Sequence, residues 1–181
     1  MTLAKGVTSG YVPLGGVMVG ERNARVMIEH GAEFEHGYTY SGHPVACAVA
    51  LANLDLIEQQ ELVRRVREDT GPYLAEQLGK IADHPLVGEV QTCGLMAAIQ
   101  LCRDGVTREA FAPEVAIGMV CRRHCFDNGL VMRAVGDRMI VAPPLIVTRA
   151  QVDEMVGLIR QALDCTYAEA RMAGWVAQAG S

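Results

Sequence analysis

The fold is best predicted from one stretch, residues 37–48, which reads Gly37-Tyr38-Thr39-Tyr40-Ser41-Gly42-His43-Pro44-Val45-Ala46-Cys47-Ala48. A polar loop runs directly into a helix that begins at Pro44, where proline is tolerated because the first helical N–H has no partner. Apolar residues continue at helical spacing, so we expect this helix to be largely buried. Helix N-termini bind anions, and Thr39 or Ser41 could add a hydroxyl donor to a phosphate. A simple capping loop would use the same residue types.

Upstream of this stretch, a loop of small residues carries Lys5 between Ala4 and Gly6. Lysine forms Schiff bases with carbonyl compounds when its amine is held partly neutral, although a loop lysine is more often a solvated surface charge. Residues 13–20 follow as a predicted buried strand. Because nothing within residues 1–60 is predicted to pair with it, we expect its partner strands outside that range.

Downstream, the spacing of apolar residues alternates between that of a helix and that of a strand. The predicted elements are a helix over 61–81 interrupted at Gly71-Pro72, a hairpin of 86–91 and 95–102, a helix over 113–128, a hairpin of 129–133 and 138–142, and a last helix opened by Thr148 with Gln151. This order predicts a first block of residues 1–60, an α+β unit over 61–165, and a tail over 166–181.

Arg133 ends the predicted strand 129–133. There its planar guanidinium could face a cleft and bind a carboxylate through two hydrogen bonds. An ion pair with Asp137 is the alternative interpretation.

Composition excludes several classes of protein. The net charge is −5, with acidic and basic residues interspersed and only 5% aromatic residues, which does not suit a nucleic-acid-binding surface. The sequence contains no apolar run of the roughly 18 residues that a membrane span needs, and its start does not resemble a signal peptide. Six scattered cysteines among apolar neighbours suit a reducing, cytoplasmic compartment.

Three segments, taken together, resemble the class III (ω-) aminotransferases of fold type I, in particular the enzymes of that family that use putrescine or another diamine with pyruvate. They are residues 3–15, residues 37–48, and residues 129–135 followed by Pro143-Pro144-Leu145. The resemblance implies an α/β fold, in which residues 1–60 are the end of the large-domain sheet and residues 61–165 the small C-terminal α+β domain.

The resemblance also implies a cofactor, pyridoxal 5'-phosphate, and roles for five residues. Lys5 would hold the cofactor as a Schiff base and move the substrate proton, and Thr39 would bind a cofactor phosphate across the interface of a homodimer or higher homo-oligomer. Arg133 would bind the carboxylate of pyruvate or a related keto acid, and Tyr11 and Tyr40 would line the entrance for the amine.

One departure from the family pattern is large, because this chain begins four residues before Lys5. We expect the N-terminal half, with the aspartate that pairs with the pyridine nitrogen, to be missing, and the chain alone to be inactive. A non-catalytic, self-associating fragment is therefore the first alternative. A metal module of Cys121, His124 and Cys125 is the second, although no fourth ligand is evident.

Overall fold

The structure is a computed structural model that describes residues 1–31 and 35–176. The chain divides into two compact units, Met1–Glu61 and Leu62–Ser181. Within the described ranges, no helix is both long and apolar enough to cross a membrane. Residues 177–181, the end of the predicted tail, lie outside them.

In its described residues, 1–31 and 35–61, the first unit holds two very short strands, one 3₁₀ turn and two helices. In chain order they are β1 (Thr2–Leu3), the turn Lys5–Thr8, β2 (Gly16–Val17), α1 (Glu21–Glu29) and α2 (Pro44–Gln59). The strand predicted over 13–20 is reduced to β2, and the prediction of a partner outside residues 1–60 was wrong because β2 pairs antiparallel with β1. Val17 and Val19 are 70% and 55% exposed, since a ladder of two residues on each side leaves their side chains uncovered.

Helix α2 begins at Pro44 as predicted, but the prediction that it is largely buried was wrong for this unit. Only Ala46 and Ala50 are buried, whereas Leu51 and Leu56 are more than half exposed. The 3₁₀ turn Lys5–Thr8 packs against α2. A single turn covers one stripe of a helix, so the other apolar faces stay uncovered.

The second unit is built on a four-stranded antiparallel sheet in the order β3-β4-β6-β5. Its strands are β3 (Val87–Cys93), β4 (Met96–Leu101), β5 (Arg133–Val135) and β6 (Arg138–Val141). The predicted first hairpin is confirmed, with Gly94 at φ 59° in its turn. A hairpin turn joins two neighbouring antiparallel strands through a short connection.

The helices of the second unit are α3 (Leu62–Arg65), α4 (Gly71–Gly79), α5 (Ile117–Asp127) and α6 (Arg149–Met172). A π-helical turn, Val66–Thr70, separates α3 from α4 and confirms the predicted interruption at Gly71-Pro72. A Cβ on Gly71 would lie 2.4 Å from the Val66 carbonyl oxygen, which is why this junction takes glycine. The core between sheet and helices includes Leu74, Leu78, Leu86, Ile99, Leu101, Ile117, Met139, Val152, Ile159 and Leu163.

The second predicted hairpin is present, but its first strand starts at Arg133 rather than ending there. The residues before it complete the end of α5 instead. Gly129 adopts φ 80°, and the Leu130 N–H donates to the Cys125 carbonyl at 2.8 Å. This is the pattern of a glycine C-cap, which takes these residues out of the strand.

Helix α6 opens with the predicted capping box, in which the Gln151 N–H donates to the Thr148 hydroxyl at 3.3 Å and the Gln151 side chain contacts the Thr148 N–H. The helix then continues to Met172, into residues that the sequence assigned to a tail. Thr166 and Ala170 are fully buried there, because the continuous helix keeps one face on the core.

Candidate active site

Lys5 opens the 3₁₀ turn with a backbone conformation that is rare for a residue with a side chain. Its φ is 53°, and Ser9, directly after the turn, has φ 49°. Left-handed conformations of this kind cost roughly 1–3 kcal/mol and persist only where the surrounding structure holds them. The Ser9 N–H donates to the Gly6 carbonyl at 3.1 Å and closes the turn between the two residues.

Two side chains support this turn from within the unit. The hydroxyl of Thr8, which is 1% exposed, donates to the Val12 carbonyl at 2.6 Å and ties the turn to the segment after it. On the other side, the Asn53 amide nitrogen of α2 donates to the Gly6 and Val7 carbonyls at 3.0 and 3.2 Å. The turn therefore has fixed neighbours on both sides.

The Lys5 side chain borders an open cleft of about 660 Å³. The cleft is lined by Ala4, Lys5, Thr8, Gly10, Val12, Pro13, Leu14 and Gly15. Its volume lies within the range of about 300–1,000 Å³ that small-molecule sites span. A Cβ on Gly6 or Gly10 would meet no atom within 4 Å, so open space surrounds the turn on this side. An exposed primary amine beside small residues fits an aldehyde cofactor that reacts with the amine.

Thr39 lies in the turn that precedes α2 and is exposed. In this turn the Ser41 hydroxyl accepts from the Tyr38 N–H at 3.0 Å, whereas the Thr39 hydroxyl has no hydrogen-bond partner among residues 1–31 and 35–176. A free, exposed hydroxyl fits the phosphate donor that the family resemblance implies, and Ser41 is the less suitable of the two.

The N-terminus of α2 itself offers few free donors. Pro44 has no N–H, and His43 caps the helix, since its Nδ1 accepts from the Ala46 N–H at 3.3 Å. The Cys47 N–H donates to the His43 carbonyl at 3.0 Å. The capping interpretation of this loop is therefore correct for His43, and phosphate binding by the loop would depend on Thr39 rather than on the helix amides.

The turn of Lys5 contacts α2 at Asn53, whereas Thr39 precedes the first residue of α2. The turn of Lys5 is bonded to Asn53, nine residues beyond Pro44, which is roughly 13 Å along a helix at 1.5 Å per residue. Thr39 lies five residues before Pro44 and is not among the residues that line the cleft of Lys5.

The two tyrosines predicted at the substrate entrance are also in the first unit. Tyr11 is 85% exposed and lies in sequence between Gly10 and Val12, which line the cleft of Lys5. Tyr40 is 80% exposed, and its ring lies 6.3 Å from that of His43. Both rings are free to contact a ligand, and their role stays a prediction.

Arg133 lies in the second unit, at the first position of β5, paired with Ile140 across the hairpin. Its guanidinium is exposed and has no carboxylate partner within the described part of the chain. The alternative ion pair with Asp137 is not formed among the described residues, and burial raises the pKa of Asp137. The N–H donors of the Arg133 guanidinium are therefore available to a ligand.

The alternative metal module does not fit the positions of its residues. Cys121 and Cys125 are buried in the core of the second unit, and His124 Nε2 lies 2.8 Å from the Glu169 carboxylate. Among residues 1–31 and 35–176, no group of three or more histidine, cysteine or acidic side chains could hold a metal ion.

Asn53 is the site residue that sequence reasoning missed. It was one polar residue in an otherwise apolar stretch of helix, Ala52-Asn53-Leu54, and that contrast was the available signal. Helical periodicity places it on a face but does not say which distant backbone atoms it meets.

Comparisons with known proteins identify the family of the chain. The family model for class III aminotransferases matches residues 1–163, and the chain belongs to this family. The fold is that of part of a fold type I transaminase, as the sequence predicted.

Several relatives are similar over almost the whole chain. The putrescine–pyruvate aminotransferase of Pseudomonas aeruginosa is 49% identical over 168 residues, which cover 93% of this chain and 36% of that protein. The diaminobutyrate–2-oxoglutarate transaminase of Halomonas elongata is 41% identical, with 91% and 36% covered. Among solved structures, the (S)-enantioselective ω-transaminase of Thermomicrobium roseum has a TM-score of 0.86 at 41% identity, with 91% and 37% covered. The chain therefore spans just over a third of the length of the relatives it matches.

Proposed function

We propose that the chain is the lysine-bearing part of an aminotransferase that holds pyridoxal 5'-phosphate on Lys5 and transfers an amino group to a keto acid. The observation that carries this proposal is the turn of Lys5, where a left-handed backbone carries an exposed side chain that borders an open cleft. Solved relatives with 35% and 34% identity are described as PMP-bound and PLP-bound aminotransferases, which supports the choice of cofactor.

When bound, the cofactor supplies the electron sink for the carbon from which the proton leaves. The protein residues provide position and charge. The Lys5 Nζ would hold the cofactor and afterwards move the proton, and the Thr39 hydroxyl would donate to a phosphate oxygen. The unpaired Arg133 guanidinium would bind the keto acid carboxylate through two hydrogen bonds. Tyr11 and Tyr40 would line the entrance for the amine.

For the amino donor we propose an ω-amine or diamine such as putrescine, with pyruvate as the acceptor. The relative with 49% identity is named for putrescine and pyruvate, and the one with 41% identity for diaminobutyrate and 2-oxoglutarate. Both donor molecules carry two amino groups, which supports a pocket that accepts a diamine.

We also propose that the complete enzyme works as a homodimer or higher homo-oligomer in the cytoplasm. Thr39 is not among the residues that line the cleft of Lys5, which supports a site to which two copies contribute. All six cysteines are unpaired, which suits a reducing compartment.

An absorbance spectrum after addition of pyridoxal phosphate tests the role of Lys5. We expect a visible band in the unmodified chain and in Lys80→Ala, and no band in Lys5→Ala. Lys80 is a suitable control because its amine is exposed and pairs with Glu76 and Gln77. Identical spectra for the unmodified chain and Lys5→Ala would contradict cofactor binding at this residue.

The second candidate is a non-catalytic, self-associating chain, which the exposed apolar side chains of α2 favour. We expect turnover of putrescine and pyruvate by these residues alone to be poor, because they span only 36% of the similar enzyme. Full transaminase turnover by the purified chain would refute this second candidate. Sedimentation over a range of concentrations would show whether the chain self-associates.

A further inference from the structure

Asn53 connects helix α2 to the turn that carries Lys5 through three hydrogen bonds. Its amide nitrogen donates to the carbonyls of Gly6 at 3.0 Å and Val7 at 3.2 Å, and its amide oxygen accepts from the Ser9 hydroxyl at 2.7 Å. Backbone carbonyls can only accept, so the nitrogen must face them and the oxygen is left for the hydroxyl. Each half of the amide therefore has a partner in the same short segment.

The helix itself gains nothing from asparagine at this position. Asparagine is less favourable in a helix interior than the alanine and leucine on either side of it, because its side chain competes for backbone hydrogen bonds. Its contacts lie 44 to 47 residues away along the chain. The tertiary contact with the turn is thus the physical reason for an asparagine here.

Two of the three bonds of Asn53 are to residues between the left-handed Lys5 and Ser9, and the third is to Ser9 itself. A residue stays in such a conformation only where its surroundings hold it there. The Gly6 and Val7 carbonyls point toward α2 while Asn53 binds them. Without these bonds the turn would be free to relax and to carry the Lys5 amine away from its cleft.

We propose that Asn53 is a positioning residue, which holds the turn Lys5–Thr8 so that the Lys5 amine is presented to the cofactor. This role rests on the proposed function of Lys5. Replacing Asn53 has a measurable effect of its own, because Asn53 contacts residues 6–9 and not the Lys5 amine.

The first measurement compares the two lysines of the chain, Lys5 and Lys80. The full chain is mixed with pyridoxal phosphate, the aldehyde–amine adducts are reduced with borohydride, and the two sites are quantified by peptide mass spectrometry. We expect Lys5 to be modified in preference to Lys80. In Asn53→Asp, where two donated bonds are lost and the acceptor for Ser9 remains, the Lys5:Lys80 ratio should fall roughly tenfold.

The second measurement is hydrogen exchange of the Ser9 and Tyr11 amides, which donate to Gly6 and Thr8. It needs no cofactor. We expect exchange in Asn53→Asp to be roughly tenfold faster, and Ser9→Ala, which removes a single bond, to give an intermediate increase. Asn23→Asp on the exposed face of α1 makes the same chemical change away from the turn and should alter neither measurement.

The outcomes separate the two hypotheses. Faster exchange together with a reduced Lys5:Lys80 ratio supports the role of Asn53. Unchanged exchange, or an unchanged ratio in a chain whose unmodified form prefers Lys5, overturns that role and leaves the function of Lys5 intact. Equal modification of the two lysines in the unmodified chain refutes the proposed function, and the role of Asn53 toward the cofactor with it.

Discussion

His84 is buried, although its neighbours in the sequence indicate an exposed position. The segment Asp83-His84-Pro85 resembles an exposed turn, but His84 is 3% exposed. Its Nδ1 accepts from the Leu86 N–H at 3.1 Å, and its Nε2 lies 3.3 Å from the Asp164 carboxylate. Burial lowers the pKa of His84 from 6.5, although Asp164 favours the charged form. The imidazole is therefore neutral in the folded chain at neutral pH.

This shift predicts a loss of stability in mild acid. Because the folded pKa lies below the unfolded one, the unfolded chain takes up the proton first as the pH falls below 6.5. The free energy of unfolding should therefore decrease from pH 6.5 down to the folded pKa of His84. Urea titrations above and below pH 6.5 on the unmodified chain and His84→Asn measure this effect. A slope with pH that is equal in both proteins would contradict it.

At the scale of elements, the start of α5 lies very close to the β5–β6 hairpin because Gly118 has no side chain. A Cβ on Gly118 would lie 2.1 Å from the Gly136 carbonyl oxygen and 3.4 Å from the Ala134 Cβ. The chain can place a helix this close to a turn only where no side chain intervenes.

We therefore predict that Gly118→Ala lowers the free energy of unfolding by about 3 kcal/mol, because helix and hairpin must move apart. Gly157→Ala in α6 is the matched control, since a Cβ there meets nothing within 4 Å. It should stabilise the chain by about 0.5–1 kcal/mol through helix propensity. Urea midpoints that move equally in the two variants would show that the close approach is unimportant.

The capping box of α6 gives a second prediction at this scale. Thr148→Ala removes the acceptor for the Gln151 N–H and should cost about 1 kcal/mol of unfolding free energy. Thr148→Ser keeps the hydroxyl and should be close to the unmodified chain. Thermal and urea unfolding of the three proteins measure the difference, and equal losses in Ala and Ser variants would contradict the cap.

At the scale of the whole molecule, the buried core belongs to the second unit. Residues such as Leu74, Ile99 and Leu163 are fully buried there, whereas the buried apolar residues of the first unit are Ala46 and Ala50 among those described. The apolar area removed from water, which supplies most of the folding free energy, is therefore concentrated after residue 61.

We predict that residues 62–181 fold on their own, with a urea midpoint close to that of the complete chain. The buried core that their sheet and helices enclose is formed by residues from Leu74 to Val176. Circular dichroism and urea unfolding of this fragment test the prediction. A fragment that unfolds without cooperativity would contradict it.

The sequence by itself determined the family and the elements whose signals are local. Proline at the start of α2, the capping box of α6 and the alternating residues of β4 act within a few positions, and three local motifs pointed to the class III aminotransferases and to Lys5. These features depend on neighbours in the chain, so a linear pattern contains them.

Only the tertiary structure decided what depends on distant partners. The contact of Asn53 with the turn of Lys5 joins residues 44 to 47 positions apart, the burial of His84 depends on α6, and the end of α5 takes residues 129–132 away from the predicted strand. Periodicity indicates which face of an element is apolar, but burial and hydrogen bonding are set by whatever packs against that face, and no local pattern specifies it.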